Sequence, residues 1–95
     1  MDAIISFIFR KKLYEGEMFI EDSEYPCFVF IIVRHQDIIE EFGDEIVLKT
    51  DYEALLPKKD DNYPGLLELR QVLFSIVKNT PLFLEAREKW QTKTA

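Results

Sequence analysis

The stretch Pro26-Cys27-Phe28-Val29-Phe30-Ile31-Ile32-Val33 decides the fold. It carries no charge, is rich in β-branched and aromatic residues, and is closed by Arg34 and His35, so it reads as a strand. In a strand Phe28, Phe30 and Ile32 project to one side, and Cys27, Val29, Ile31 and Val33 to the other. Both sides are apolar, whereas a strand with one solvated face alternates with polar residues. The stretch is therefore expected to be a central strand with something on each side of it. The C-terminal helices can cover one face; the other requires the N-terminal segment, a strongly coiled sheet or a second copy of the chain.

Towards the N-terminus, residues 13–21 read as a strand with Tyr14, Gly16, Met18 and Ile20 facing inward and Glu15, Glu17, Phe19 and Glu21 outward. Residues 21–26 form a hairpin loop whose Pro26 opens the central strand. Arg10-Lys11-Lys12 is a polar hairpin turn, and residues 3–9 read as a strand with a short helix as the alternative, since so short an apolar run does not distinguish them.

Towards the C-terminus, residues 34–43 look like one or two helical turns. Asp37 is the expected cap, Glu40 completes a capping box, Gly43 is the stop, and Ile38, Ile39 and Phe42 are the anchors. Residues 44–50 form a strand, with Ile46, Leu48 and Thr50 opposite Glu45, Val47 and Lys49, pairing antiparallel with the central one. After an apolar turn at 52–56 and a polar loop at 58–62, a helix spans 64–78 with Pro64 in its first turn. Its inward face is Leu66, Leu69, Leu73, Ile76 and Val77, an arc that Leu67, Val72 and Phe74 widen beyond the need of one sheet face. Thr80 and Pro81 start a second helix with a stripe of Leu82, Ala86 and Trp90, and residues 91–95 are expected to fray. The expected fold is α+β: an N-terminal antiparallel meander of three to four strands (roughly 3–50), then two helices (roughly 63–90) packed on one face, in a single domain over 1–95.

Composition narrows the function. The 95 residues are 47% hydrophobic, and eight Phe supply the volume for one core without metals or disulfides. A single Cys excludes an internal disulfide and a Cys-based zinc site. On a continuous strand His35 lies about 26 Å from Cys27, which disfavours a Cys/His pair, and Ser6, Ser23 and Ser75 lack a nucleophile-elbow context. No basic flank precedes the short apolar run at 4–9, so no signal peptide or membrane span is expected, and a reducing, cytoplasmic location is favoured.

The formal charge is −6, distributed unevenly. Residues 15–53 hold twelve acids and two bases, a net of −10; the remainder holds ten bases and six acids, a net of +4. Carboxylates of this kind keep sheet edges soluble, or steer a basic protein partner. Nucleic acid is disfavoured because only Arg10-Lys11-Lys12 and Lys58-Lys59 cluster, and Asp60 and Asp61 follow the latter. Glu40, Glu41, Asp44 and Glu45 form the candidate binding face. They lack a calcium-loop spacing, so no metal is expected, and the isolated Gly16, Gly43 and Gly65 cradle no phosphate, so no cofactor is expected. The leading expectation is a small intracellular interaction module, not an enzyme, that forms a homodimer. The alternatives are an apolar-ligand carrier with a pocket lined by Phe28, Phe30, Tyr14 and Met18, and a small enzyme using the carboxylates of 37–45. Phe30→Ala is expected to cost about 3–5 kcal/mol as a core truncation.

Overall fold

A computed structural model describes residues 2–60 and 62–94. Four strands, β1 (Asp2–Phe9), β2 (Lys12–Glu21), β3 (Cys27–Ile32) and β4 (Glu45–Thr50), form one antiparallel sheet in the order β1-β2-β3-β4. A short helix α1 (Gln36–Phe42) connects β3 to β4, and α2 (Leu66–Val77) and α3 (Pro81–Thr94) follow the sheet. This is the α+β meander with two C-terminal helices that the sequence predicts, with residues 3–9 as a strand. The stretch 91–94 belongs to α3, and Ala95 lies outside the described residues.

The register follows from the two hairpins. Phe9 pairs with Lys12 across a two-residue turn in which Arg10 and Lys11 have φ of 51° and 67°, the pair of positive φ angles that matches the twist of the flanking strands. The pairs Phe19↔Phe30 and Phe30↔Val47 then fix β2, β3 and β4. One face of the sheet carries Ile5, Phe7, Phe9, Tyr14, Met18, Cys27, Val29, Ile31, Ile46, Leu48 and Thr50, all buried. α2 packs against β1 and β4 and brings Leu66, Leu69, Leu73, Phe74 and Val77 into that core. α3 adds Phe83 and Ala86.

Several local expectations are corrected. His35, not Asp37, is the N-cap of α1 and makes no side-chain capping bond; Asp37 reaches Lys12 instead, at 2.5 Å. Pro64 precedes α2 rather than lying in it, and Gly65 caps the helix at φ 81°. An added Cβ there would stand 2.5 Å from a guanidinium nitrogen of Arg10, the movable end of a flexible side chain, so it is the left-handed dihedral that reserves the position for glycine. Phe83 is fully buried on α3, although the i, i+4 stripe of Leu82, Ala86 and Trp90 omits it. Phe74 is covered edge-on by Phe83 at 6.0 Å, so α3 accounts for that part of the widened arc on α2. Phe30 is only half-buried and faces away from the helices.

Candidate functional site

The sheet has two unlike faces because its residues alternate. Following the pairs across the strands, Glu21, Phe28 and Lys49 form one row on the side away from α2 and α3. Phe19, Phe30 and Val47 form the next, and Ile4, Glu17, Ile32 and Glu45 the one after. Ile8 and Leu13 pair further along. Ile4, Ile8 and Leu13 are 62%, 65% and 70% exposed, and Phe19, Phe28, Phe30, Ile32 and Val47 are half-buried by one another. Phe19, Phe28, Phe30, Ile32 and Val47 make a contiguous apolar patch bordered by Glu17, Glu21, Glu45 and Lys49, on which no helix among the described residues lies; Glu17 stands between Ile32 and Ile4, and the Ser6–Glu15 pair between Ile4 and the Ile8–Leu13 pair. Arg34 pairs with Glu17 at its border. A hollow of about 350 Å³ opens beside it between Leu13, Gly16, Ile32 and His35.

The candidate acidic face is organised differently from what charge counting implies. Glu41 accepts a hydrogen bond from Arg10 at 2.6 Å, and the Arg10 guanidinium also lies over the rings of Phe9 and Phe42. The Glu41 bond raises the Arg10 pKa. Lys12 holds the Asp37 carboxyl below its ordinary range. Arg10 of the β1–β2 turn and Lys12 at the start of β2 thus tie the hairpin to α1. Glu40 accepts from Gln36 at 3.0 Å, the Asp44 carbonyl accepts from the Val33 N–H at 3.1 Å, and Glu45 opens β4 on the uncovered face. Among the described residues, no three His, Cys, Asp or Glu side chains are grouped to hold a metal ion. His35 rests edge-on against Tyr14 at 4.9 Å, with Nδ1 3.9 Å from an Asp37 oxygen.

The expected ligand pocket does not exist as drawn, because Tyr14 and Met18 lie on the covered face and Phe28 and Phe30 on the open one. A cleft of about 590 Å³ is found elsewhere, between the β2–β3 loop (Asp22, Ser23), Tyr52 and α3 (Glu85, Glu88, Lys89, Trp90, Lys93). Trp90 is stacked between Tyr25 and Tyr52 at 5.2 and 5.8 Å, which closes the apolar end of the cleft. Burial raises the Tyr52 pKa and pushes the Cys27 thiol up to about 11. That leaves the thiol protonated at neutral pH and unfit as a nucleophile.

Sequence reasoning missed Arg70. It is 3% exposed, its Nε donates to the Val47 carbonyl at 3.1 Å, and its guanidinium meets Asp60 at 2.8 Å, holding that carboxyl below its ordinary range. With the Leu56 N–H on the Lys49 carbonyl at 2.7 Å and the Thr50↔Leu55 bridge, it occupies the outer edge of β4. Partners 23 and 10 residues away leave no local pattern to read. No helix among the described residues is long and apolar enough to cross a membrane. No known protein family, curated protein or solved structure matches the chain.

Proposed function

We propose that the chain is a small non-catalytic interaction module that self-associates as a homodimer, with the open face of its sheet as the contact surface. One observation carries this reading: Phe19, Phe28, Phe30, Ile32 and Val47 form an apolar patch on the open face that no helix among the described residues covers, and Ile4, Ile8 and Leu13, each more than 60% exposed, lie further along the same face. A contiguous apolar patch of this kind is unusual on a monomer and marks a surface that meets another molecule. The lone buried Cys27 fits a reducing, cytoplasmic setting. A basic partner on the acidic side is less supported, since Asp37 and Glu41 already have Lys12 and Arg10 as counterions.

Dimerisation links stability to concentration, because the dimer is favoured over two unfolded chains by mass action. Thermal unfolding across a hundredfold range of protein concentration is expected to show a midpoint that rises with concentration. A concentration-independent midpoint contradicts the reading. A second reading, a small-ligand carrier, draws on the cleft beside Trp90. Its charged rim of Asp22, Glu85, Glu88, Lys89 and Lys93 suits a polar ligand with an aromatic part, not an apolar one. Native mass spectrometry of the purified protein with no added mass counts against it.

A further inference from the structure

We infer that the second copy stacks face to face on the open sheet about a twofold axis running across the strands along the Phe19-Phe30-Val47 row, so that Lys49 of each chain meets Glu45 of the other. This arrangement rests on the self-association reading and adds its geometry.

Two simple dyads lie in the plane between stacked sheets, and the charges on the face decide between them. A dyad along the strands keeps each row and exchanges the strands. The row Ile4-Glu17-Ile32-Glu45 would then meet itself reversed, with Glu17 over Ile32 and Glu45 over Ile4 of the second copy. Glu17 keeps Arg34 in either arrangement, but here Glu45 would be desolvated against an apolar side chain with no counterion, which is unfavourable. A dyad across the strands keeps each strand over its own copy and exchanges the rows on either side of Phe30. Phe28 then lies over Ile32, Phe30 over Phe30, Phe19 over Phe19 and Val47 over Val47. In the β4 column Lys49 lies over Glu45, twice by symmetry. Among the described residues neither Glu45 nor Lys49 has an ion-pair partner within its own chain. Glu21 over Glu17 is tempered because Glu17 is paired with Arg34, and Ile4, Ile8 and Leu13 lie outside the overlap, since no β1 residue stands in the Glu21-Phe28-Lys49 row.

The contact is small. Three strands at about 4.8 Å spacing and about seven residues at about 3.3 Å give on the order of 330 Å² per copy, or about 660 Å² for both, before side-chain relief is added. That is the size class of weak, transient associations, below about 1,200 Å². Aligned packing of two twisted sheets keeps their strands within about 30° of each other, which preserves the column-over-column contacts near the axis.

The arrangement is tested by charge reversal read as dimer dissociation in sedimentation equilibrium. Lys49→Glu and Glu45→Lys are each expected to weaken the dimer about tenfold or more, and the double variant to restore it. A wild-type dimer indifferent to the single changes, or not restored in the double variant, overturns this geometry while leaving self-association standing; a wild-type monomer overturns both. A second measurement needs no variant. Within one chain Glu45 and Lys49 are about 13 Å apart along the strand, too far for a zero-length carbodiimide. Treating a mixture of ¹⁴N and ¹⁵N protein is therefore expected to give a mixed-isotope Lys49–Glu45 cross-link. Cross-linked dimers lacking that peptide overturn the arrangement.

Discussion

Lys11 stands at φ 67° with its side chain in solvent, while its neighbour Arg10, at φ 51°, has Glu41 and two aromatic rings as partners. A side chain in this region costs on the order of 1 kcal/mol, so the two residues of one turn should respond differently to glycine. Lys11→Gly is expected to stabilise the fold by about 0.5 kcal/mol, and Arg10→Gly to destabilise it because the tie to α1 is lost. Urea unfolding of the two variants checks the contrast. Cys27 offers a second test through pH. Its folded-state pKa of about 11 is raised by burial above the ordinary thiol value. The unfolded chain therefore gives up its thiol proton first on the way to high pH. The stabilising contribution is fully present below about pH 8.5 and is lost as pH rises towards 11. Cys27→Ala is expected to flatten that alkaline fall; an unchanged slope between pH 8.5 and 11 would place its cause elsewhere. Buried Tyr52, raised first by burial and then by Cys27, contributes in the same direction, and in the variant only the part due to Cys27 is lost.

At the scale of elements, the two faces of β3 make opposite contributions. Ile31 is fully buried beneath the helices, and Phe30 is half-buried on the open side. Ile31→Ala is expected to cost about 2–5 kcal/mol. Phe30→Ala is expected to cost about 1–2 kcal/mol when measured at concentrations where the chain is monomeric, less than its size would give in a core. Equal losses would show that the helices do not select one face. This distinction was not legible from residues 26–33, because periodicity identifies a covered face only when the other is polar, and here neither is. The strands themselves were legible: 13–21 and 44–50 alternate apart from Phe19 and Val47 on their polar sides, and the turn residues between them stand where the chain reverses. On α3 the spacing of Leu82, Ala86 and Trp90 pointed to a stripe, but Phe83 is the residue that enters the core and meets Phe74. The candidate acidic site was legible only as composition. Glu41 is engaged by Arg10 from 31 positions away, and such pairings arise from the way the β1–β2 turn folds over α1, which no local pattern encodes.

For the whole molecule, the net charge of −6 resolves into an acidic strand region and a basic remainder, and folding joins the two at the Arg10–Glu41 and Lys12–Asp37 pairs. The polarity seen along the chain is thus partly spent within the chain, while the apolar surface of β2, β3 and β4 has no partner element among the described residues. One face of the sheet completes the core, and in the proposed dimer a second copy covers the other. Light scattering coupled to size-exclusion chromatography tests this most directly when wild type is compared with Phe30→Asp, a change at the centre of the open face and outside the core. The account predicts twice the single-chain mass of 11.3 kDa for wild type and the single-chain mass for a still-folded Phe30→Asp. A wild-type chain that elutes at 11.3 kDa, or a Phe30→Asp variant that stays dimeric, would contradict it.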